Sequence, residues 1–488
     1  MQTLLDEAAD WAASLTLEAI PVDVRRLAVA QAISAAGARA AARRHPVGRK
    51  LEDLLRGEGW ADLAAADALL TMALDFDETA FAGHLGHAAT AAALRAAEVY
   101  GADGERAVVA MVAASEVAAR LTASVTLGRA RGQTASHTHA AAATVAAGVI
   151  MDLAPQQLAT ALSLALAQPR QVLLPAFMAS DAKFWVAAAP ILDAGRAIDQ
   201  ALQGATGMGA VIETTGGFFD VLAEVPVRQA FAAYGERWHL RTLSIKAVPG
   251  CAYLGAAVEA AAGLGPIAPG EIASVGVAAS IFTLGMEAES APFIDGPASP
   301  LPALAFSTAY NVAAALLGGG LDVEDLHGPR LDSREPWRVA ALTRVEHDAA
   351  LSLSALAATA PVGAALAWAG EAALPYLTAR GASAELAGRV LQQARTENDG
   401  TLEGCSKRVG ARLRVTLRDG TVLESAREAA GGSCQETVEA RVELATEKLR
   451  AQLLALSMDP VDVDARVASH LCIETLESAP LAALVAAG

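Results

Sequence analysis

The stretch Leu240-Arg-Thr-Leu-Ser-Ile-Lys246 decides the fold, because apolar and polar residues begin to alternate there, whereas the preceding sequence follows a helical period. Alternation with a period of two predicts a strand. From Thr3 to about Ala223, apolar residues recur every three or four positions, which predicts one helix after another. The sequence therefore passes from helical to strand-containing structure near Trp238.

Further strands are predicted on the C-terminal side. The segments 273–277 and 412–418 alternate or are rich in β-branched residues. The second is followed by Asp419-Gly420 and then by 421–425, which is the pattern of a β-hairpin with a tight turn. The stretches with helical patterning are 255–264, 307–317, an alanine-rich stretch near 354–395, and 437–487.

We therefore predict a mainly α protein with two domains. Residues 1–240 plus 435–488 form a large all-helical domain, and residues 241–434 form a smaller, inserted α+β lid domain. A crevice between two such domains is a usual place for a small-molecule site.

Composition limits the functions that fit. The chain has 488 residues, 53% of them hydrophobic, and a formal net charge of −17. An acidic chain repels nucleic acid and anionic lipid, so neither is an expected partner. No stretch of 18 residues is continuously apolar, and the N-terminus lacks a signal-peptide pattern, so we expect a cytoplasmic protein. The four cysteines form no C-x-x-C pair, which argues against a zinc ribbon.

The densest polar cluster is Leu74-Asp-Phe-Asp-Glu-Thr-Ala-Phe-Ala-Gly-His-Leu-Gly-His87. It interrupts two apolar helices with acids, a hydroxyl group and imidazoles. If the segment is helical, Asp75 and Thr79 share one face. A purely structural alternative is a capped helix boundary, with Asp77 or Thr79 accepting from the amides of the next helix.

Two further motifs follow. Ser136-His-Thr-His139 opens an alanine-rich helix, and grouped imidazoles of this kind suit either acid–base chemistry or a transition metal. Lys183 precedes Phe184 and Trp185 in a chain with only five lysines, which favours a functional ammonium group over a solvated surface lysine.

These clusters, in this order, resemble the MmgE/PrpD family, whose members include 2-methylcitrate dehydratase, cis-aconitate decarboxylase and iminodisuccinate epimerase. The resemblance also rests on Gly204-Ala-Thr-Gly207, Lys246-Ala-Val-Pro-Gly-Cys251 and Ala305-Phe-Ser-Thr-Ala-Tyr310. It implies a helical domain with a smaller α+β domain, no cofactor, and a homodimer.

The resemblance also implies roles for individual residues. The catalytic candidates are His84, His137, Asp75 and Tyr310, with His84 and His137 as the acid–base pair and Asp75 orienting an imidazole. The substrate-binding candidates are Lys183, Thr79, His139, Lys246 and Tyr253, with His139 as the rival of His137.

The chain also departs from the family pattern. A family histidine that follows the lysine–proline–cysteine segment falls here on Gly255, and the aromatic residue before the proline is Val248. One acid–base group is therefore missing or supplied by Tyr253, so the reaction can differ from those of the named members.

The three named reactions all handle a carbon next to a carboxylate. Removing a proton or carbon dioxide there leaves an enolate-like charge, which ammonium and hydroxyl groups stabilise. We therefore expect a cofactor-independent lyase of the dehydratase type, acting on a small hydroxy-polycarboxylate, an anionic carboxylic acid. A decarboxylase or an epimerase (isomerase) of a related acid is the nearest alternative. A histidine-cluster metal hydrolase and a catalytically silent ligand-binding homologue are the others.

Overall fold

The computed structural model describes residues 2–129 and 132–486, and within them the protein is mainly α-helical, as the sequence predicts. Ala487, the last residue of the predicted helical patterning, lies outside these ranges. The helices before the main sheet are α1 Leu4–Ser14, α2 Val22–Arg44, α3 Pro46–Glu52, α4 Trp60–Met72, α5 Gly86–Tyr100, α6 Gly104–Ser124, α7 Ser136–Ile150, α8 Pro155–Leu166, α9 Leu174–Ala179, α10 Trp185–Leu202 and α11 Phe218–Leu222.

The second half of the chain combines helices with strands. The strands are β1 Glu78–Thr79, β2 Ser244–Ile245, β3 Ile272–Ala279, β4 Thr343–His347, β5 Ala411–Leu417 and β6 Val422–Arg427. The remaining helices are α12 Gly255–Ala262, α13 Ile281–Ser290, α14 Leu301–Leu304, α15 Thr308–Gly318, α16 Gly328–Asp332, α17 Arg334–Leu342, α18 Ala349–Ala357, α19 Ala364–Ala369, α20 Ala373–Thr378, α21 Ala384–Glu397, α22 Val438–Ala455, α23 Pro460–Leu471 and α24 Ser478–Ala486.

The main sheet has the strand order β4-β3-β5-β6. Strands β3 and β4 are parallel, while β5 pairs antiparallel with both β3 and β6, and Val277 of β3 lies between Val345 and Leu413. The predicted hairpin is confirmed, since Asp419 accepts a bond from the Thr421 amide at 2.8 Å and Gly420 has a φ of 90°. Strand β4 is an edge strand that the pattern does not predict, because most of its side chains face solvent or lie half-buried.

The stretch 240–246 is a strand only in part, so the prediction for it is largely wrong. Residues His239–Thr242 form a 3₁₀ turn, and only Ser244–Ile245 pair, antiparallel with Glu78–Thr79. The physical reason is a buried carboxylate on α6. Glu116 accepts bonds from the amides of His239 and Leu240 at 2.9 and 2.8 Å, so these donors do not need a neighbouring strand.

Helix α6 is the central helix of the N-terminal half. It is long and apolar enough to cross a membrane, but its most apolar window is entirely buried among the other helices. The bent pair Ala349–Ala357 and Thr359–Thr378 passes the same test only when it is counted as one span. An apolar helix that is buried on every side, as α6 is, is typical of a protein core.

The C-terminal helices return to the N-terminal ones. Helix α22 packs along α2, where a Cβ on Gly37 would lie 3.1 Å from the Cγ of Lys448. Arg25 also pairs with Glu474 at 2.8 Å. These contacts join the two ends of the chain, and the division into two domains stays a prediction.

Helices α18 to α21 pack against the polar cluster between α4 and α5. Phe81 stacks on Trp368, with ring centroids 5.8 Å apart, and shares a buried apolar cluster with Leu127, Phe282 and Val362. The alanine-rich stretch therefore packs against one side of the polar cluster, at Phe81.

The docking of the C-terminal segment on α6 can be tested at Gly104. Its amide donates to the carbonyl of Leu476 at 2.7 Å, and a Cβ there would lie 1.6 Å from the carbonyl oxygen of Ile473. We expect Gly104→Ala to lower the free energy of unfolding by about 1–3 kcal/mol, because two backbones must separate. Thermal melting measures this change.

Gly388→Ala is the matched control, because Gly388 is also helical but a Cβ there has no atom within 4 Å. It should leave the melting temperature unchanged or raise it. Equal melting temperatures for wild type and Gly104→Ala would contradict the tight docking.

Candidate active site

The break between α4 and α5 holds the acidic motif in a non-helical conformation. Asp75 and Phe81 have φ values of 50° and 49°, which non-glycine residues rarely adopt. The short ladder of Glu78–Thr79 with Ser244–Ile245 ties this segment to the second half of the chain. Asp75 and Thr79 are therefore presented by a loop and a strand rather than by one face of a helix. Strained backbone of this kind is concentrated at functional sites.

Four of the five lysines of the chain are buried around this segment. An ammonium group is buried only at a high cost unless carboxylates or carbonyls receive it. Here each one meets a different part of the loop. The contacts are Lys183 to the Asp75 carboxylate, Lys246 to the Asp75 carbonyl at 2.7 Å and the Asp77 carboxylate at 2.8 Å, Lys407 to the Thr79 hydroxyl, and Lys448 to the Phe76 carbonyl.

Asp77 is the centre of this arrangement. One of its carboxylate oxygens contacts Nδ1 of His84 and lies 3.1 Å from Nε2 of His87, and the other accepts from Lys246. Burial opposes its charge, but the imidazole of His84 and the ammonium of Lys246 hold the pKa of Asp77 well below its usual range. Asp77 is therefore ionised and fixes both neighbours.

His84 is a neutral imidazole near pH 7. Burial lowers its pKa to about 4, and Lys246 contributes to this shift, although Asp77 opposes it. With Nδ1–H donating to the Asp77 carboxylate, Nε2 keeps its lone pair. The arrangement is that of a general base whose tautomer is set by a buried acid.

The two lysines beside Thr79 and His84 differ in their protonation. Burial opposes the charge of Lys246, but the Asp77 and Asp75 carboxylates raise its pKa, so it stays an ammonium. Burial lowers the pKa of Lys407 to about 8, because its bonding partner is the Thr79 hydroxyl rather than a carboxylate. Lys407 can therefore gain and lose a proton near neutral pH.

A cavity of about 300 Å³ opens beside these groups. Its polar lining includes Thr79, His84, Lys246, Lys407 and Tyr253. These residues come from the acidic loop, from the segment after β2, and from the segment before β5. The cavity thus brings together side chains that are more than 300 positions apart in sequence, and we treat it as the candidate active site.

Four of the expected site residues line this cavity, namely Thr79, His84, Lys246 and Tyr253. Asp75 and Lys183 lie beside it but are fully buried and paired with each other. The rings of Phe177 and Phe306 line the cavity, and the Lys183 ammonium lies 5.6 and 5.1 Å from their centroids. We expected Asp75 to orient an imidazole, but its carboxylate contacts Lys183, and the carboxylate in contact with His84 is that of Asp77.

The second histidine differs from the expectation as well. His137 packs edge-on against Phe218, with centroids 5.0 Å apart, and is not among the residues that line the cavity. The ring next to His84 is His87, stacked at 5.5 Å, and His139 lies 5.4 Å beyond His87. The first turn of α7 thus places His139 next to the stacked rings of His84 and His87, and His137 against Phe218.

Tyr310 is also directed away from the cavity. Its hydroxyl donates to the carbonyl of Asp325 at 2.5 Å, and its ring packs on Trp337 at 4.4 Å. Gly255, at the position of a family histidine, has little room for a side chain, since a Cβ there would lie 2.9 Å from the Cβ of Ala430. Tyr253 lines the cavity, whereas residue 255 does not.

Sequence reasoning missed two important groups, the carboxylate of Asp77 as the partner of His84 and the ammonium of Lys407. The scarcity of lysine was a signal for Lys407, because a lysine in a lysine-poor chain is more often a buried or functional residue than a solvated one. Asp77 gave no separate signal, since Asp75, Asp77 and Glu78 are equivalent in sequence until the loop conformation is known.

Part of the chain matches a known protein family. Residues 61–229 match the family model described as the MmgE/PrpD N-terminal domain. This range contains Thr79, His84 and Lys183, while Lys246 and Lys407 lie beyond it. No curated protein matches the chain.

The buried imidazoles predict a pH dependence of stability. Burial lowers the pKa of His137 to about 3 and that of His84, His45, His239 and His470 to about 4, against about 6.5 in an unfolded chain. The unfolded state therefore binds more protons below pH 6.5. Stability should fall from pH 6.5 toward pH 4, by up to about 1.4 kcal/mol per pH unit for each such histidine.

Thermal melting between pH 7 and pH 4.5 measures this loss. His137→Leu, which removes one imidazole packed on Phe218, should make the dependence shallower by about one proton. A melting temperature that stays constant between pH 6.5 and pH 5 would contradict the neutral, buried histidines.

Proposed function

The chain belongs to the MmgE/PrpD family through its N-terminal domain, and on this premise we propose that it is a lyase of the dehydratase type. The proposed substrate is a small hydroxylated carboxylic acid, and no cofactor takes part. The observation that carries the proposal is the neutral imidazole of His84, held by Asp77 at the wall of a cavity that two lysines also line.

In the proposed reaction, Nε2 of His84 removes a proton from the carbon next to the substrate carboxylate. A bound carboxylate raises the pKa of a nearby imidazole, because opposite charge stabilises the protonated ring. His84 is therefore a stronger base when the substrate is present than when the cavity is empty. The carboxylate of Asp77 keeps the ring oriented and stabilises the imidazolium that forms.

The electron pair left by the proton passes onto the substrate carboxylate. Lys246, Lys407 and the hydroxyl of Thr79 line the cavity and stabilise this enolate-like charge. Removing one such donor typically costs about 10²- to 10³-fold in kcat.

The electron pair then forms the carbon–carbon double bond while the carbon–oxygen bond breaks. The leaving hydroxide takes a proton from the ammonium of Lys407 and departs as water. Proton exchange with water returns His84 to its neutral form and Lys407 to its ammonium form. A pKa of about 8 suits Lys407 to this task.

Decarboxylation and epimerisation of a related acid pass through the same intermediate. A decarboxylase releases carbon dioxide in place of water, and an epimerase returns the proton to the opposite face. Measured carbon dioxide and solvent deuterium in recovered substrate distinguish these two reactions from dehydration.

A metal hydrolase is the second candidate function, because Asp77, His84 and His87 offer ligand atoms within 4.8 Å of one another. The electrostatics oppose it. The Lys246 ammonium already binds the Asp77 carboxylate at 2.8 Å, and Lys407 lines the same cavity, so a divalent cation would enter a region of positive charge. Elemental analysis of the purified protein, together with activity after chelation, decides between the two candidates.

A homodimer, a cytoplasmic location and the absence of nucleic-acid or membrane partners complete the proposal. The net charge of −17 supports the last point, since the surface as a whole repels polyanions. Light scattering on the purified protein measures the stoichiometry.

Turnover of a panel of hydroxylated acids tests the reaction. We expect a new double bond, seen as ultraviolet absorbance, with at least one acid. His84→Gln should lower kcat by about 10²- to 10⁴-fold with a smaller change in KM, because it removes the base but keeps a polar side chain. Equal turnover by wild type and His84→Gln would contradict the mechanism, and ligand binding without any turnover would indicate a catalytically silent homologue.

The pH profile tests Lys407. We expect kcat/KM to fall above about pH 8, where the ammonium loses its proton. Lys407→Arg should lower kcat, because a guanidinium group is a poor proton donor, and the remaining activity should lack this alkaline limb, because arginine stays charged. Lys50→Arg is the control, since Lys50 is exposed and pairs with Asp181, and neither residue lines the cavity. An alkaline limb that is the same in Lys407→Arg would exclude Lys407 as the titrating acid.

A further inference from the structure

The candidate active-site cavity has two chemically different parts. One part is lined by Thr79, His84, Lys246 and Lys407. The other is lined by aromatic and thioether side chains. These are Phe177, Met178, Phe282, Met286 and Phe306, from α9, α13 and the segment before α15.

The charges in the polar part suit one carboxylate. The ammonium of Lys246 is already matched by the Asp77 carboxylate at 2.8 Å. Lys407 is held by the hydroxyl of Thr79, and among the residues that the structure describes no carboxylate forms an ion pair with its ammonium. A substrate carboxylate beside Lys407 would therefore supply the missing opposite charge, which is the condition under which buried charges are tolerated.

The rest of the cavity disfavours further carboxylates. Lys183 is not available to bind one, because it is fully buried and paired with Asp75 behind the rings of Phe177 and Phe306. Arg129 and Glu289 also line the cavity, but both are exposed and opposite in charge. A second or third carboxylate in the apolar part would lie against aromatic rings and lose hydration without a partner.

From this division we infer that the substrate is an amphiphilic acid. It carries one carboxylate at Lys407 and an apolar alkyl or aryl arm along Phe177, Met178, Phe282 and Met286. This inference rests on the proposed function of the same cavity and narrows its substrate class. Methionine side chains adapt their shape, so the wall accepts arms of different form. A volume of about 300 Å³ leaves room for such an arm beside the carboxylate.

Gly285 offers a way to fill the apolar part. It lies on α13 and lines the cavity, and a Cβ built on it has no neighbouring heavy atom within 4 Å. A larger residue there should extend into the free space without displacing the backbone. Gly388 of α21 is the matched control, because it is helical, exposed and equally free of neighbours.

Binding of unreactive acids tests the inference without requiring turnover. Calorimetry on the full chain measures Kd for straight-chain carboxylates from butanoate to octanoate, with succinate and propane-1,2,3-tricarboxylate as polyanionic comparisons. We expect Kd to fall about fourfold with each added methylene until the apolar part is filled. We also expect hexanoate to bind more tightly than the tricarboxylate.

Three variants locate the arm and the carboxylate. Gly285→Leu should abolish the gain from the longer chains and leave the binding of butanoate nearly unchanged. Gly388→Leu should retain the wild-type series, and Lys407→Met should weaken every member by a similar factor. The wild-type series alone remains decisive if a variant does not fold.

A Kd that is independent of chain length, tighter binding of the tricarboxylate, or no binding of any acid would overturn the inference. These outcomes are separate from those of the proposed reaction. Chain-length dependence without turnover of any hydroxylated acid would contradict the lyase and leave the amphiphilic ligand standing. Turnover of polycarboxylates with no effect of an apolar arm would support the lyase and contradict the amphiphilic substrate.

Discussion

The buried carboxylate of Asp77 is the interaction on which the rest of the site depends. It holds the imidazole of His84 in one tautomer and balances the ammonium of Lys246. The two partners come from different parts of the chain, His84 from seven residues along the same loop and Lys246 from the position directly after the strand that pairs with that loop. Without this charge, Lys246 and the neighbouring lysines would repel one another in a region from which water is excluded.

The surrounding helices make this concentration of charge tolerable. Alanine-rich helices pack closely, and their ends leave a narrow break at 73–85 in which carbonyl groups face inward. The carbonyls of Asp75 and Phe76 receive Lys246 and Lys448, so the loop backbone and its side chains both neutralise ammonium groups. Helix α22 brings Lys448 from the C-terminal part of the chain to this loop. The site therefore depends on the packing of the C-terminal helices against the N-terminal ones.

Much of the fold could be predicted from periodicity, because helices and the β5–β6 hairpin are determined by neighbouring residues. The exceptions have a common cause. The segment 239–242 is not a strand, because the carboxylate of Glu116 from α6 accepts hydrogen bonds from the amides of His239 and Leu240. Strand β4 has no strand pattern of its own and forms because it pairs with β3 at the edge of the sheet. Contacts between residues distant in sequence decided both cases.

The sequence by itself determined that the protein is mainly helical, that polar residues cluster at 74–87, and that lysine is rare. Only the tertiary structure decided which acid meets which base. Asp75 and Asp77 are two residues apart and chemically identical, yet the left-handed backbone at Asp75 directs one carboxylate to Lys183 and leaves the other for His84 and Lys246. Lys407 reaches Thr79 across more than 300 residues, because burial of apolar surface sets the path of the chain, and no local pattern encodes that distance.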